Sequence, residues 1–176
     1  SDLMKNHLQA VEHLYQAKDG QEQGGAYVKD LYHMLNLLGE KYYSSNRMLN
    51  IICNDKLSLA RHPAVAISVE IGDVDFSDLR DIDITTIFAN LLDNALEAAE
   101  DFGEGAYLNL KIQEVHHFRV ISIVNASRPG MKKEGHMGVG LENVRRTVEA
   151  YQGTMQCEIV GEEYRVSVML PGKEDS

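Results

Sequence analysis

The sequence predicts an α+β sandwich, a mixed β-sheet with helices on one face, preceded by a helical hairpin. Three observations carry this. From Ala64 onward the apolar spacing switches between period two and period 3.6, in the order strand, helix, two strands, helix, two strands. Inside that order, DITTIFANLLDNALEAAE, Asp83 to Glu100, has the broad apolar arc of a helix lying on a sheet. Upstream, two amphipathic runs are split by DGQEQGG, Asp19 to Gly25. The domain reading is therefore 1–61 for a helical hairpin plus a linker helix, and 62–176 for the sandwich.

In chain order, Met4, Leu8, Val11 and Tyr15 recur at helical spacing, with Leu14 alongside, up to about Lys18. From Ala26, Val28, Leu31, Leu35 and Leu38 follow the 3-4-3 spacing of a coiled-coil seam. The single apolar stripe of such a hairpin needs cover. A second copy would make a dimeric four-helix bundle, and folding back onto the chain's own sandwich is the rival. Gly39 ends the second run. Another helical pattern spans Ser45 to about Arg61 through Leu49, Ile52 and Leu57, and closes at His62-Pro63.

AVAISVEI, Ala64 to Ile71, alternates as a half-buried strand. The linker GDVDFSDLRDID leads to the long helix, for which Asp83 is the expected N-cap and Gly103 the expected stop. Strands follow at Tyr107 to Val115 and Phe118 to Val124, with a hairpin turn at His116-His117. A loop, Asn125 to Met137, holds Pro129, Gly130, Lys132, Lys133 and Gly135. GVGLENVRRTVEAYQG, Gly138 to Gly153, reads as glycine loop, helix and stop. Two last strands, Met155 to Ile159 and Tyr164 to Leu170, turn at Gly161-Glu162 before a polar tail.

Composition narrows the function. With 17 Lys and Arg against 27 Asp and Glu, the formal charge is −10, the wrong sign for a nucleic-acid partner. Cys53 and Cys157 lie far apart and outside any metal-ligand spacing, which suits two reduced thiols. The seven histidines, at 7, 13, 33, 62, 116, 117 and 136, show no recurring ligand spacing. No apolar run approaches the ~18 residues of a membrane span, and no signal peptide is visible. Opening at Ser1 without methionine fits an excised fragment.

Two features carry chemistry. Asn90 and Asn94 stand one helical turn apart on one stripe, with Thr86 and Glu97 beside them. Asparagine is a poor residue inside a helix because its amide competes with the backbone for hydrogen bonds. Two of them, edged by buried residues, read either as amides held for a ligand or as a solvated polar face. The second feature is the glycine loop. Glycines opening a helix let backbone N–H groups approach an anion, and the helix start favours negative charge there. The loop lacks the third glycine of a dinucleotide fingerprint and the GK[ST] of a Walker loop. By itself it reads equally as a tight turn without a ligand.

In combination these features resemble the ATP-binding domain, a Bergerat-type sandwich, shared by gyrase, heat-shock chaperones, histidine kinases and mismatch-repair ATPases. NLLDNALEA, Asn90 to Ala98, resembles the asparagine box of sensor histidine kinases, and GVGLENV, Gly138 to Val144, their second glycine box. KNHL, Lys5 to Leu8, is similar to the segment after the phosphoacceptor in peptide-responsive quorum-sensing kinases. The resemblance implies that Asn94 coordinates the Mg²⁺ of bound ATP and that Asn90 supports the same site. It implies that Asn125, where the family has an aspartate, accepts the adenine amino group, and that Gly138, Val139, Gly140 and Leu141 face the triphosphate. Asn125 to Met137 would form a lid, from which Lys132 or Lys133 reaches the phosphates or stays solvated.

Two departures matter. Hydrolysing members carry a glutamate general base where Asn90 stands, and an amide cannot take that proton. Where related kinases carry the acceptor histidine and its neighbour, this chain has Asp2 and Leu3. The function implied is the ATP/Mg²⁺-binding transmitter portion of a two-component sensor histidine kinase. Such a portion passes the γ-phosphoryl group to a histidine for relay to a response regulator. It would be a homodimer through the N-terminal hairpin, cytoplasmic, and attached to a membrane only through an upstream segment. The alternative is a degenerate kinase serving as a nucleotide-binding or dimeric interaction module. A serine kinase of the anti-sigma kind is a third reading, disfavoured by KNHL.

Overall fold

Period-two alternation becomes five strands and 3.6-residue periodicity three helices in the computed structural model, which describes residues 42–58, 61–130 and 138–173. Two compact units divide the chain, Ser1–Tyr43 and Ser44–Ser176. The hairpin expected over residues 1–41 lies outside the described residues, as do Lys132, Lys133 and Gly135 of the expected lid.

In the second unit the order is α1 (Arg47–Lys56), β1 (Ala66–Ile71), α2 (Asp81–Phe102), β2 (Tyr107–Val115), β3 (Phe118–Ala126), α3 (Val139–Ala150), β4 (Thr154–Val160) and β5 (Glu163–Pro171). The sheet order is β1-β2-β3-β5-β4. Only β1 and β2 run parallel, with Val69 opposite Leu110, because α2 forms the crossover between them. The other neighbours are antiparallel: β2–β3 and β4–β5 are hairpins, whereas β3 and β5 are joined through α3 and β4. This is the mixed sheet with helices on one face that the spacing predicts.

Register puts the core on one side. Leu110, Ile123 and Val166 lie in one row across β2, β3 and β5, and Ile112, Ile121 and Val168 in the next. All six are buried, under Ile84, Ile87, Phe88, Leu91, Leu92, Ala95 and Ala99 of α2 and Val144 and Val148 of α3. Full burial of each large side chain is worth about 1.5–3 kcal/mol. On the opposite side Asn109, Lys111, Arg165 and Met169 are exposed, so the sheet has one wet face.

Several boundaries differ from the sequence reading, each for a local reason. α1 runs only Arg47–Lys56, shorter than Ser45 to Arg61. Asn46 caps it by accepting from the Leu49 N–H at 2.9 Å, and Leu57 closes it by donating to the Cys53 carbonyl at 2.9 Å. Its Leu49, Ile52 and Cys53 are buried, and it belongs to the same compact unit as the sheet. Where the chain enters α1, the Asn50 carboxamide holds Ser44 three ways. Its Oδ1 accepts from the Ser44 N–H (2.7 Å) and hydroxyl (2.6 Å), and its Nδ2 donates to the Ser44 carbonyl (3.0 Å).

α2 starts two residues before the expected cap. The N-cap is Arg80, without a side-chain cap of its own, and Asp83 sits inside the first turn. Gly103 does end the helix, at φ 85°. β3 extends through Asn125 and Ala126, which the sequence reading assigns to the loop, because both continue the ladder opposite Tyr164 and Glu163. The His116-His117 turn takes positive φ at both residues, 48° and 69°, as a two-residue hairpin loop of the primed type requires.

Candidate nucleotide site

The asparagine stripe is neither core nor open surface. Thr86, Asn90 and Asn94 are half-buried, and Ala98, next on the same stripe, is buried, whereas Asp93, Glu97 and Glu100 are exposed. The Asn90 Nδ2 donates to the Thr86 carbonyl at 2.7 Å, which fixes the carboxamide plane and leaves Oδ1 facing away from its own backbone. That oxygen meets the glycine helix. A Cβ built on Gly140 would lie 3.1 Å from Asn90 Oδ1 and 3.6 Å from its Cγ. The two segments singled out by sequence therefore touch, and Gly140 is a glycine because an asparagine occupies the space a side chain would take.

The other glycine behaves differently. Gly138 is the N-cap of α3, at φ −69° and ψ 169°, with nothing within 4 Å of where its Cβ would be. Glycine at the N-cap offers no side chain of its own to cap this helix start. The N–H groups of Val139, Gly140 and Leu141 are the first of α3 and have no partner within the helix by its geometry. Val139 is 76% exposed and the Leu141 side chain is buried, so leucine's part in any ligand contact falls to its backbone. Asn94 lies one turn beyond Asn90, and its carboxamide makes no hydrogen bond among the described residues.

Asn125 is 1% exposed, on the helix-facing side of β3, between Leu108 and Tyr164 in the ladder. Its Nδ2 donates to the Ala126 carbonyl at 2.9 Å, which turns the amide nitrogen toward its own strand. Ser127 follows, buried, its N–H donating to the Glu162 carbonyl at 2.9 Å. Arg128 then reaches back to α2. Its guanidinium lies 5.3 Å from the centre of the Phe102 ring, and Nη2 donates to the Phe102 carbonyl at 2.7 Å, at the negative end of the helix dipole.

A second junction joins the two helices at their other ends. The Tyr151 hydroxyl, just past α3, donates to Asp83 Oδ2 at 2.5 Å and accepts from the Arg80 N–H at 3.3 Å. Arg80 Nε also reaches Asp83 Oδ2, at 3.1 Å. In a capping box the third helical residue's carboxylate takes the N-cap N–H; here a tyrosine hydroxyl stands between them. The bond from Tyr151, then that from Arg80, holds the Asp83 carboxyl below the usual range. Nothing in the local spacing of Tyr151 signals this partner, because Asp83 is 68 residues away.

Helices α1 and α2 are tied on the opposite flank by Lys56 to Asp93, at 2.9 Å, and His62 Nδ1 meets Glu100 Oε1 at the helix end. Among the described residues, no group of three or more His, Cys, Asp or Glu is placed to hold a metal ion. The same residues include no helix long and apolar enough to cross a membrane.

The mixed sheet with its helices on one face has the fold of histidine kinase catalytic domains. The catalytic domain of histidine kinase ThkA matches at a TM-score of 0.57 and 15% identity, over 76% of this chain and 97% of that one. The histidine kinase AdeS of Acinetobacter baumannii matches at 0.59 and 15% identity, over 96% and 95%. A histidine kinase of Burkholderia phymatum STM815 matches at 0.58 and 12%, over 97% and 93%. At such identities the likeness speaks for the fold. Family membership follows from sequence: the chain belongs to the GHKL domain family, whose model matches residues 79–171, more than half of its length. No curated protein matches the chain.

Proposed function

We propose that this chain binds ATP with Mg²⁺ between α2 and the start of α3 and serves as the transmitter portion of a two-component sensor histidine kinase. The observation that carries the reading is the contact between Gly140 and the Asn90 carboxamide. It brings a helix start whose first N–H groups lack helical partners, suited to phosphate, beside the Asn90 amide oxygen, with Asn94 one turn further along α2 and its amide suited to a hard cation. The residues fit the ligand chemically. Asn94 would hold Mg²⁺ through its carbonyl oxygen, with Asn90 supporting it, and Asn125 would accept from the adenine amino group. The Val139, Gly140 and Leu141 N–H groups would face the phosphates. Bound ATP·Mg²⁺ supplies a γ-phosphoryl group activated for transfer; this chain's part is to bind, orient and neutralise.

Asn90 also supports transfer rather than hydrolysis. A carboxamide does not remove a proton from water, so the position that would need a general base holds none. The acceptor would be a histidine, the onward acceptor a response regulator, and the assembly a homodimer through the N-terminal hairpin. KNHL favours the peptide-responsive quorum-sensing branch and the cytoplasmic side of a membrane-bound sensor. Titration with ATP·Mg²⁺ tests the site. Asn94→Ala is expected to lose at least tenfold in affinity, about 1.4 kcal/mol, and equal affinities would remove the assignment.

A second reading has its own observation. Asp2 and Leu3 stand where related kinases place the acceptor pair, which favours a degenerate kinase working as a nucleotide-binding or dimeric interaction module. Acid-labile phosphate on the chain after incubation with ATP would decide for the kinase.

A further inference from the structure

The two helices of the site meet at two points. Gly140 touches Asn90 near the start of α3, and Tyr151 bonds Asp83 just past its end. Along α2, Asp83 and Asn90 are about 10 Å apart; along α3, Gly140 and Tyr151 are about 16 Å apart. The helices thus run antiparallel, and the long tyrosine side chain reaching back makes up the difference. Between these points the interface is apolar: Leu141, Val144 and Val148 are buried from α3. Ridge-into-groove packing of these side chains already favours one register, but its energy is spread over many weak contacts and changes gradually with small axial displacements. A hydrogen bond between a hydroxyl and a carboxylate is directional and short-ranged, and it sharpens that register. The tyrosine bonds the N-cap backbone of α2 as well as Asp83, so it grips the helix frame and not only a side chain.

We propose that Tyr151 is a positioning residue for the nucleotide site, fixing the axial register of α3 on α2 through Asp83 and Arg80 and so holding Gly140 against Asn90. The proposal rests on the nucleotide reading for its functional consequence, but the positioning itself does not require a ligand. A slip of one residue is about 1.5 Å. That is large beside the 3.1 Å that separates a Gly140 Cβ position from Asn90 Oδ1. Register lost at the tyrosine end therefore appears as a displaced Asn90 carboxamide at the other.

The test is nuclear magnetic resonance of the Asn90 side-chain NH₂ group in the whole chain without nucleotide, followed by titration with ATP·Mg²⁺. Tyr151→Phe removes only the hydroxyl. It is expected to shift the Asn90 NH₂ signal and to weaken ATP·Mg²⁺ about three- to tenfold, because the bond acts on the site only through the position of α3. Asp83→Ala removes the same bond from the other side and is expected to move the same signal. Asp83→Asn keeps an acceptor for the hydroxyl and is expected to leave it nearer the wild-type position. An Asn90 signal unmoved in both Tyr151→Phe and Asp83→Ala overturns the positioning role, whatever the affinity does. A moved signal with wild-type ATP·Mg²⁺ binding in Asn94→Ala would instead overturn the nucleotide reading and leave the positioning standing. A Tyr151→Phe chain that melts earlier but keeps its Asn90 signal would mark the bond as stabilising only, and would also overturn the proposal.

Discussion

Three glycines around α3 serve three purposes, and alanine at each separates them. At Gly153 a Cβ would lie 2.5 Å from the Met169 carbonyl and 2.8 Å from both Leu170 Cδ2 and Val148 Cγ1. Gly153→Ala must push backbone apart and is expected to cost about 1–3 kcal/mol by chemical denaturation, the range for overpacking. Gly138→Ala meets nothing and has an ordinary φ, so its stability is expected to stay within about 0.5 kcal/mol of wild type. Gly140→Ala lies between them. The gain of about 0.5–1 kcal/mol from replacing a helical glycine is set against crowding of Asn90 at 3.1 Å. Its thermal stability is expected to change little while its ATP·Mg²⁺ affinity falls. The cysteines give a fourth comparison. Burial pushes the Cys53 thiol up to about 12, whereas Cys157 is half-buried on an edge strand. Iodoacetamide on the native chain is expected to label Cys157 first, with Cys53 reacting only on unfolding.

Among elements, the segment between β1 and α2 is held by one buried arginine. Arg119, 3% exposed on the helix-facing side of β3, bonds both oxygens of Asp78 at 2.5 and 3.0 Å. It also donates to the Asp75 carbonyl at 2.9 Å and to the Pro171 carbonyl at 2.6 and 3.0 Å, and it stacks on Phe76. Arg119→Ala leaves these acceptors without their donor. It is expected to cost about 3 kcal/mol in urea unfolding, the lower end for a broken buried pair because Asp78 is partly exposed. The Tyr151 junction has a pH signature. Asp83 is held below its unfolded value, which is about 3.9, so its contribution is complete above that pH and fades as pH falls through the lower folded value. Acid titration of stability is expected to show a limb below about pH 4 that is shallower in Tyr151→Phe.

For the molecule as a whole, the sandwich was legible because its signals are periodic. Alternation in β2, β3 and β5 and the apolar arc of α2 survive as the observed core almost residue for residue. Residue type singled out Asn90 and the glycine-fronted helix separately, and each also read as a feature without a ligand; the family resemblance is what joined them. What local pattern does not carry is a partner distant in sequence. Arg119 reads as one more strand residue until Asp78 and Pro171 are placed around it, and Tyr151 as the polar end of a helix until Asp83 arrives. The same limit moved the start of α2: Asp83 is a good N-cap by type, but its carboxylate is engaged by Tyr151 and Arg80. The hairpin makes its own prediction at this level. Analytical ultracentrifugation of the whole chain is expected to show a dimer, and a monomer would remove the four-helix bundle from the proposed assembly.

The grip of Asn50 on Ser44 has a mechanical meaning. A pull or twist delivered along the peptide at Ser44 meets a clamp of three hydrogen bonds before it meets any swivel. Beyond that clamp, α1 is fastened to its unit by the buried side chains of Leu49, Ile52 and Cys53, with the Lys56–Asp93 pair at its end. Asn50→Ala would convert that coupling into a slack joint.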